Sequence, residues 1–311
     1  MPADGWRTRV VETTLPIDLR RSFGSLDRGR GDPTTHWLSD LEVFRATRTP
    51  EGLAVAHFRA QTMHRVKVRS FGPGAEWMLE RAPEHLGSKD TLEGFNPQGL
   101  VQELARRFPA LRMIRTNLLI EPLVLAILEQ KVPGKDALMS HRALIRTFGE
   151  VIEAPDAPKL AVLPPPKTLA TLASFQLREA GVDGKRSAAL QEATKRAARL
   201  ERLVIEGSAV EARRILQLLP GIGPWTAAES TRVAMGDPDA ISVGDYHVPN
   251  LVAWNLAGEP RANDERMLEL LEPYVGHRAR VVQLLMASGT GAPKYGPRIA
   301  LRPFVAGHAR K

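Results

Sequence analysis

The chain has 311 residues, 43% of them hydrophobic, and a formal net charge of +8. That length suits roughly two domains with a real core, and the basic balance favours an anionic partner such as nucleic acid. The absence of cysteine excludes disulfides, thiolate-bound zinc and iron–sulfur clusters.

The first hundred residues read as β-rich. Strands are expected over Arg7 to Leu15, Leu41 to Thr47, Leu53 to Arg59 and His64 to Phe71, the last with clean polar–apolar alternation. Turn signals separate them: Arg30-Gly31-Asp32-Pro33, Thr49-Pro50-Glu51-Gly52 and Gly72-Pro73-Gly74. A helix over Ala75 to Arg81 follows. The expected architecture is α+β: a small antiparallel-sheet domain over 1–96, a two-lobed all-helical domain over 97–296 and a basic tail over 297–311.

From Gly99 onward apolar residues recur at three- and four-residue spacings. This predicts helices over Gly99–Phe108, Pro122–Lys131, Lys135–Phe148, Pro166–Ser174, Gly184–Leu200, Ala209–Leu218, Pro224–Ala234, Tyr246–Leu256, Asn263–Leu271 and His277–Ala287. The N-terminus has no signal-peptide apolar core, and the apolar run Pro122 to Leu128 is too short to span a bilayer. A soluble protein of the cytoplasm is expected.

The most informative stretch is Leu216-Gln217-Leu218-Leu219-Pro220-Gly221-Ile222-Gly223-Pro224-Trp225-Thr226. One helix ends, Pro220 to Gly223 turn, and Pro224 opens the next helix, a position where proline forfeits no amide bond. Both glycines can take positive φ and admit another backbone closely. Amides left free at this helix start favour an anion, and a DNA phosphate is the natural guest. Ile222 at the tip is expected to pack between the helices.

Asp245 follows Trp225 by 20 residues, in Val-Gly-Asp-Tyr-His. That is room for one helix and a return loop, which brings the carboxylate back beside the hairpin. An Asp at a helix start ordinarily caps it. A charged Asp there also suits glycosidic cleavage, because the sugar becomes cationic as the base departs. The two roles are compatible.

Leu-Pro-Gly-Ile-Gly-x-x-Thr-Ala followed by Asp245 resembles the helix–hairpin–helix base-excision DNA glycosylases, with the hairpin motif over 209–235. The likeness is nearer 3-methyladenine DNA glycosylase II than endonuclease III. Bifunctional members carry a lysine directly before the Thr-Ala, and this chain has Trp225 there, which implies no Schiff-base lyase step. Leu123 to Val132 resembles the superfamily's early helix, ending in a Gln that probes the DNA gap. The chain departs from the alkylbase enzymes at three points. Lys131 stands in place of an apolar wedge, Glu229 in place of a pocket aromatic, and Met286 in place of a later one.

The resemblance implies Asp245 as the catalytic residue and Trp225, Glu229, Tyr246 and Met286 around the base. It implies DNA contacts from Gln130, Lys131, Pro220, Gly221, Ile222, Gly223, Pro224, Thr226 and His247. Lys185 and Arg186 are further candidates for backbone contacts. No organic cofactor is implied. A structural Na or K ion on the carbonyls of Gln217, Leu219 and Ile222 is. The expected function is hydrolysis of alkylated or deaminated purines from double-stranded DNA by a nucleoid-associated monomer. The alternatives are a non-catalytic damage-binding or architectural protein, and a glycosylase for another lesion.

Overall fold

A computed structural model describes residues 5–293. The basic segment 297–311 lies outside the described residues. Strands β1 (Arg7–Glu12), β2 (Thr35–Ser39), β3 (Glu42–Thr49), β4 (Gly52–Thr62) and β5 (Arg65–Phe71) form one antiparallel sheet in the order β1-β5-β4-β3-β2. A short helix, α1 (Leu19–Ser22), lies between β1 and β2. In β5 the alternation is realised: Val66, Val68 and Ser70 are buried while Arg65 and Lys67 are exposed. The strand β2 was not expected from the sequence, since Thr-His-Trp-Leu-Ser carries no strong strand pattern.

Both faces of the sheet are covered. Helix α2 (Ala75–His85) packs Trp77, Met78, Leu79 and Ala82 against Val43, Phe58, Val66 and Val68. On the other face, Trp6, Phe44 and Val55 meet Ile152, Leu160 and Val162. Those last residues come from a two-stranded hairpin, β6 (Glu150–Ile152) with β7 (Leu160–Val162). This corrects the expectation that 97–296 is wholly helical. The hairpin's three-residue strands are too short for a periodic signal; the exposed apolar face of the sheet decides their conformation.

Helices α3 (Gly99–Arg107), α4 (Ile120–Leu128) and α5 (Gly134–Phe148) precede that hairpin. After it come α6 (Pro166–Thr171), α7 (Ser174–Glu179), α8 (Gly184–Lys195), α9 (Ala197–Glu206), α10 (Ala209–Leu216), α11 (Pro224–Met235), α12 (Val248–Ala257), α13 (Asp264–Leu271) and α14 (Arg278–Ser288). Two predicted helices are split. Pro166–Ser174 breaks where Leu172 and Ala173 turn extended (ψ 132° and 150°), and α7 begins afresh. Gly184–Leu200 breaks at Arg196, which leaves the helical basin at φ −104°, ψ 10°. Neither break contains Gly or Pro, so nothing local announces it.

Two separate helical cores result. One centres on α4, whose residues are buried all round except Glu121, with α8, α9, α10 and α11 about it. The other joins α3 to α12, α13 and α14 through Val101, Leu104, Val252, Met267, Leu271 and Leu285. The sheet is tied to the first core by the Arg45–Glu121 ion pair and by Thr47 Oγ1 donating to Glu121 at 2.7 Å. The loop from α11 to α12 crosses from one core to the other. Among the described residues no helix is long and apolar enough to cross a membrane.

Candidate active site

The hairpin joins α10 to α11. Gly221 has φ +81°, and a Cβ there would approach Ala189 of α8 to 2.8 Å. Gly223 is different: it is extended (φ −94°, ψ 179°), and a Cβ would meet nothing within 4 Å. The expectation that both glycines serve positive φ is therefore corrected; only Gly221 does. Ile222 is buried in the first helical core, between the helices. Pro220 is exposed, and Pro224 opens α11 in its first turn. Nothing among the described residues donates to the carbonyls of Gln217 or Ile222, while Leu219 accepts from Ile222 N at 3.1 Å.

Asp245 is half-buried and held by three donors. Trp225 Nε1 donates to Oδ2 at 2.8 Å. The amides of His247 and Val248 donate to Oδ1 at 2.6 and 2.9 Å, which caps the start of α12. A carboxylate offers about four lone-pair sites. Oδ1 is saturated, and Oδ2 keeps capacity for one further donor. Because Trp225 is the second residue of α11, this oxygen faces the hairpin. Gly244 (φ +91°), whose amide donates to Asp264 Oδ2 at 3.0 Å, lets the loop turn back to that position.

Trp225, Glu229 and Arg232 lie at i, i+4 and i+7 on one face of α11. Both oxygens of Glu229 are taken: one accepts from Arg232 Nη2 at 2.5 Å, the other from Ser242 Oγ. Burial opposes its ionised form, but the Arg232 charge and the Ser242 hydrogen bond prevail and hold its carboxyl below the ordinary range. Glu229 thus pins the loop that carries Asp245 onto α11, rather than offering a free acceptor to a base. Ser242 and Arg232 had no signal in the sequence beyond that shared helix face.

Gln130 follows the last turn of α4 and Nε2 donates to Gly221 O and to Thr226 Oγ1, both at 2.9 Å. Thr226 is buried. Lys131 is exposed and takes φ +53°, uncommon for a residue with a side chain. His247 is exposed, with the Tyr246 ring edge-on to its own at 4.9 Å. Tyr246 is 77% exposed and Met286, near the end of α14, is 56% exposed. Lys185 is exposed, but Arg186 is buried and spent on Asp183, on Leu128 O at 2.7 Å and on Gly181 O at 2.9 Å. Arg186 is structural, not a phosphate contact.

Two residues near this site were not read from the sequence. Glu129 caps the end of α4, directly before Gln130. Burial pushes its carboxyl above the ordinary range, against the pull of Arg28 and Arg232 and with the push of Glu229 and Asp245. Arg28 comes from the segment between α1 and β2, where burial lowers its guanidinium's affinity for its proton. No sequence pattern links positions 28 and 129.

No family model and no curated protein sequence matches the chain. Solved structures do. A 3-methyladenine DNA-glycosylase from Archaeoglobus fulgidus matches with a TM-score of 0.76 at 18% identity, covering 90% of this chain and 98% of that one. A Clostridium acetobutylicum 8-oxoguanine glycosylase/lyase matches in its apo-form with a TM-score of 0.69 at 13% identity, covering 92% and 99%. The same enzyme with double-stranded DNA containing cytosine opposite 8-oxoguanine matches at 0.68 and 13%, covering 90% and 97%. The chain has the fold of the helix–hairpin–helix base-excision DNA glycosylases, an antiparallel sheet followed by helices that carry the hairpin.

Proposed function

We propose that the chain is a monofunctional DNA glycosylase that hydrolyses the N-glycosidic bond of a damaged purine in double-stranded DNA. The observation that carries this reading is the Asp245 carboxylate, held by Trp225 at the first turn after the hairpin. The free amides around Gly221 to Pro224 grip a phosphate. The damaged nucleotide leaves the stack, and its base rests near Trp225. As the bond from C1′ to the base nitrogen breaks, its electron pair departs with the base. Asp245 stabilises the cationic sugar, and Oδ2 orients the water that adds to C1′. The water's proton passes through Asp245 to solvent or to the base. The products are the free base and an abasic site.

The residue before Thr226-Ala227 is Trp225, which has no amine to form a Schiff base, so strand cleavage by a lyase step is not expected. Lys131 and His247, both exposed, join the hairpin in contacting DNA, and Tyr246 and Met286 rim the base site. The unclaimed carbonyls of Gln217 and Ile222 fit a Na or K ion, with Leu219 as third ligand, bridging to the phosphate. The enzyme acts as a monomer on nucleoid DNA in the cytoplasm. The shared fold and the +8 charge support this reading.

The test is release of free base from methylated and deaminated DNA by the purified chain, followed by alkali to cut abasic sites. Base release that disappears in Asp245→Asn supports it. Tight binding with no abasic sites formed points instead to a damage-binding protein of the same fold.

A further inference from the structure

The environment of Asp245 contains five charged groups. Three of them are engaged: Glu229 with Arg232, and Asp245 with Trp225 and the start of α12. The other two are not. Among the described residues no side-chain hydrogen bond or ion pair within 4 Å engages the Glu129 carboxylate or the Arg28 guanidinium. Yet each is largely withdrawn from water, and each feels the other's charge. A desolvated charge without a partner is costly, and a ligand that pairs it is correspondingly favoured.

Both groups are well positioned. Glu129 is fixed by Gln130, the next residue, which is tied to Gly221 and Thr226. The backbone at Arg28 is fixed twice: its amide donates to Asp32 Oδ2 at 3.1 Å, and its carbonyl accepts from Arg142 Nη2 at 3.1 Å. The gap between an unsatisfied acceptor and an unsatisfied donor suits a molecule edge that presents a donor beside an acceptor. A 6-oxopurine has that edge: N1–H donates, O6 accepts. A 6-aminopurine has the reverse, with N1 accepting and the 6-amino group donating. It would set lone pair against lone pair and N–H against N–H.

We propose that Glu129 and Arg28 are specificity-determining residues that select a 6-oxopurine, of hypoxanthine or guanine type, as the flipped base. Glu129 accepts from N1–H, and from the 2-amino group where there is one. Arg28 donates to O6. This rests on the reading of Asp245 as the centre of a glycosylase, but it concerns recognition and is measurable without turnover.

The test uses two duplexes whose target sugar is 2′-fluoroarabinose, which resists cleavage. One carries hypoxanthine and the other adenine, each opposite a tetrahydrofuran spacer, so that neither base gives up a pairing partner. The intact chain is expected to bind the hypoxanthine duplex at least about tenfold more tightly. Glu129→Gln and Arg28→Met should each reduce that ratio by about tenfold. Both should leave affinity for undamaged DNA and the melting temperature nearly unchanged. Arg28→Lys keeps the charge, loses the planar fork, and should lie between. A ratio near one, a preference for adenine, or a ratio untouched by all three variants overturns the proposal. If the ratio behaves as expected but the cleavable hypoxanthine duplex releases no base, the recognition role stands and the hydrolytic reading fails.

Discussion

The indole Nε1 of Trp225 donates a 2.8 Å hydrogen bond to Asp245 Oδ2 across 20 residues of chain. That single contact joins the element that grips DNA to the carboxylate proposed to act on the sugar. It crosses between the two helical cores, since α11 belongs to one and α12 to the other. Any shift of one core relative to the other therefore moves the carboxylate relative to the hairpin.

Asp245→Asn should abolish base release and leave DNA affinity within about twofold, because the amide retains the shape but not the charge. Trp225→Phe keeps most of the ring and removes the donor. Base release should slow by about ten- to a hundredfold, in line with roughly 1.5–3 kcal/mol for a hydrogen bond to a charged group. Single-turnover kinetics on one lesion duplex measures both. Full activity in Asp245→Asn would end the assignment.

The two hairpin glycines should behave differently. Gly221→Ala places a side chain at φ +81° and against Ala189, so it should lower stability by about 1–3 kcal/mol, read as a fall in the urea midpoint. Gly223→Ala meets open space in the free protein. It should melt normally and still weaken binding to every DNA sequence alike, since its methyl group stands where a phosphate approaches the amides. A lesion-selective loss in Gly223→Ala would count against phosphate contact there.

Ser242→Ala removes one of the two partners of Glu229 and loosens the loop that leads to Asp245. Base release should fall by about tenfold with little change in the melting temperature. Loss of stability without loss of rate would show that the loop is held by other means.

Stability should decline in acid for an identifiable reason. Burial holds His85 neutral down to about pH 4 and His141 down to about pH 3, the latter also repelled by Arg28. In the unfolded chain both take up protons at about 6.5. Between those values the unfolded state binds more protons, so stability falls as pH falls from about 6.5 to about 3 and is fully restored above about 6.5. Denaturant midpoints measured across that range should drop, and His141→Gln should make the drop shallower.

DNA affinity should fall by more than roughly tenfold between about 50 and 200 mM salt, because phosphates release counterions when the basic surface binds. A flat salt response would remove the electrostatic basis for the DNA reading.

Local chemistry determined a good deal on its own. Pro224 and the glycines mark the hairpin because proline and positive φ restrict the backbone wherever they occur. The alternation in β5 and the apolar α4 are legible for the same reason: side-chain direction follows from the backbone period. The spacing from Trp225 to Asp245 was enough to expect the two to be neighbours. Tertiary packing decided the remainder. Nothing local marks the breaks at Leu172 and Arg196, the pairing of β6 with β7, or the ion pair that occupies Glu229. Arg28 and Glu129 are about a hundred residues apart in the chain. Their meeting depends on where the sheet docks on α4, and a dock between buried surfaces is set by shape and charge across the fold rather than by the neighbours of either residue.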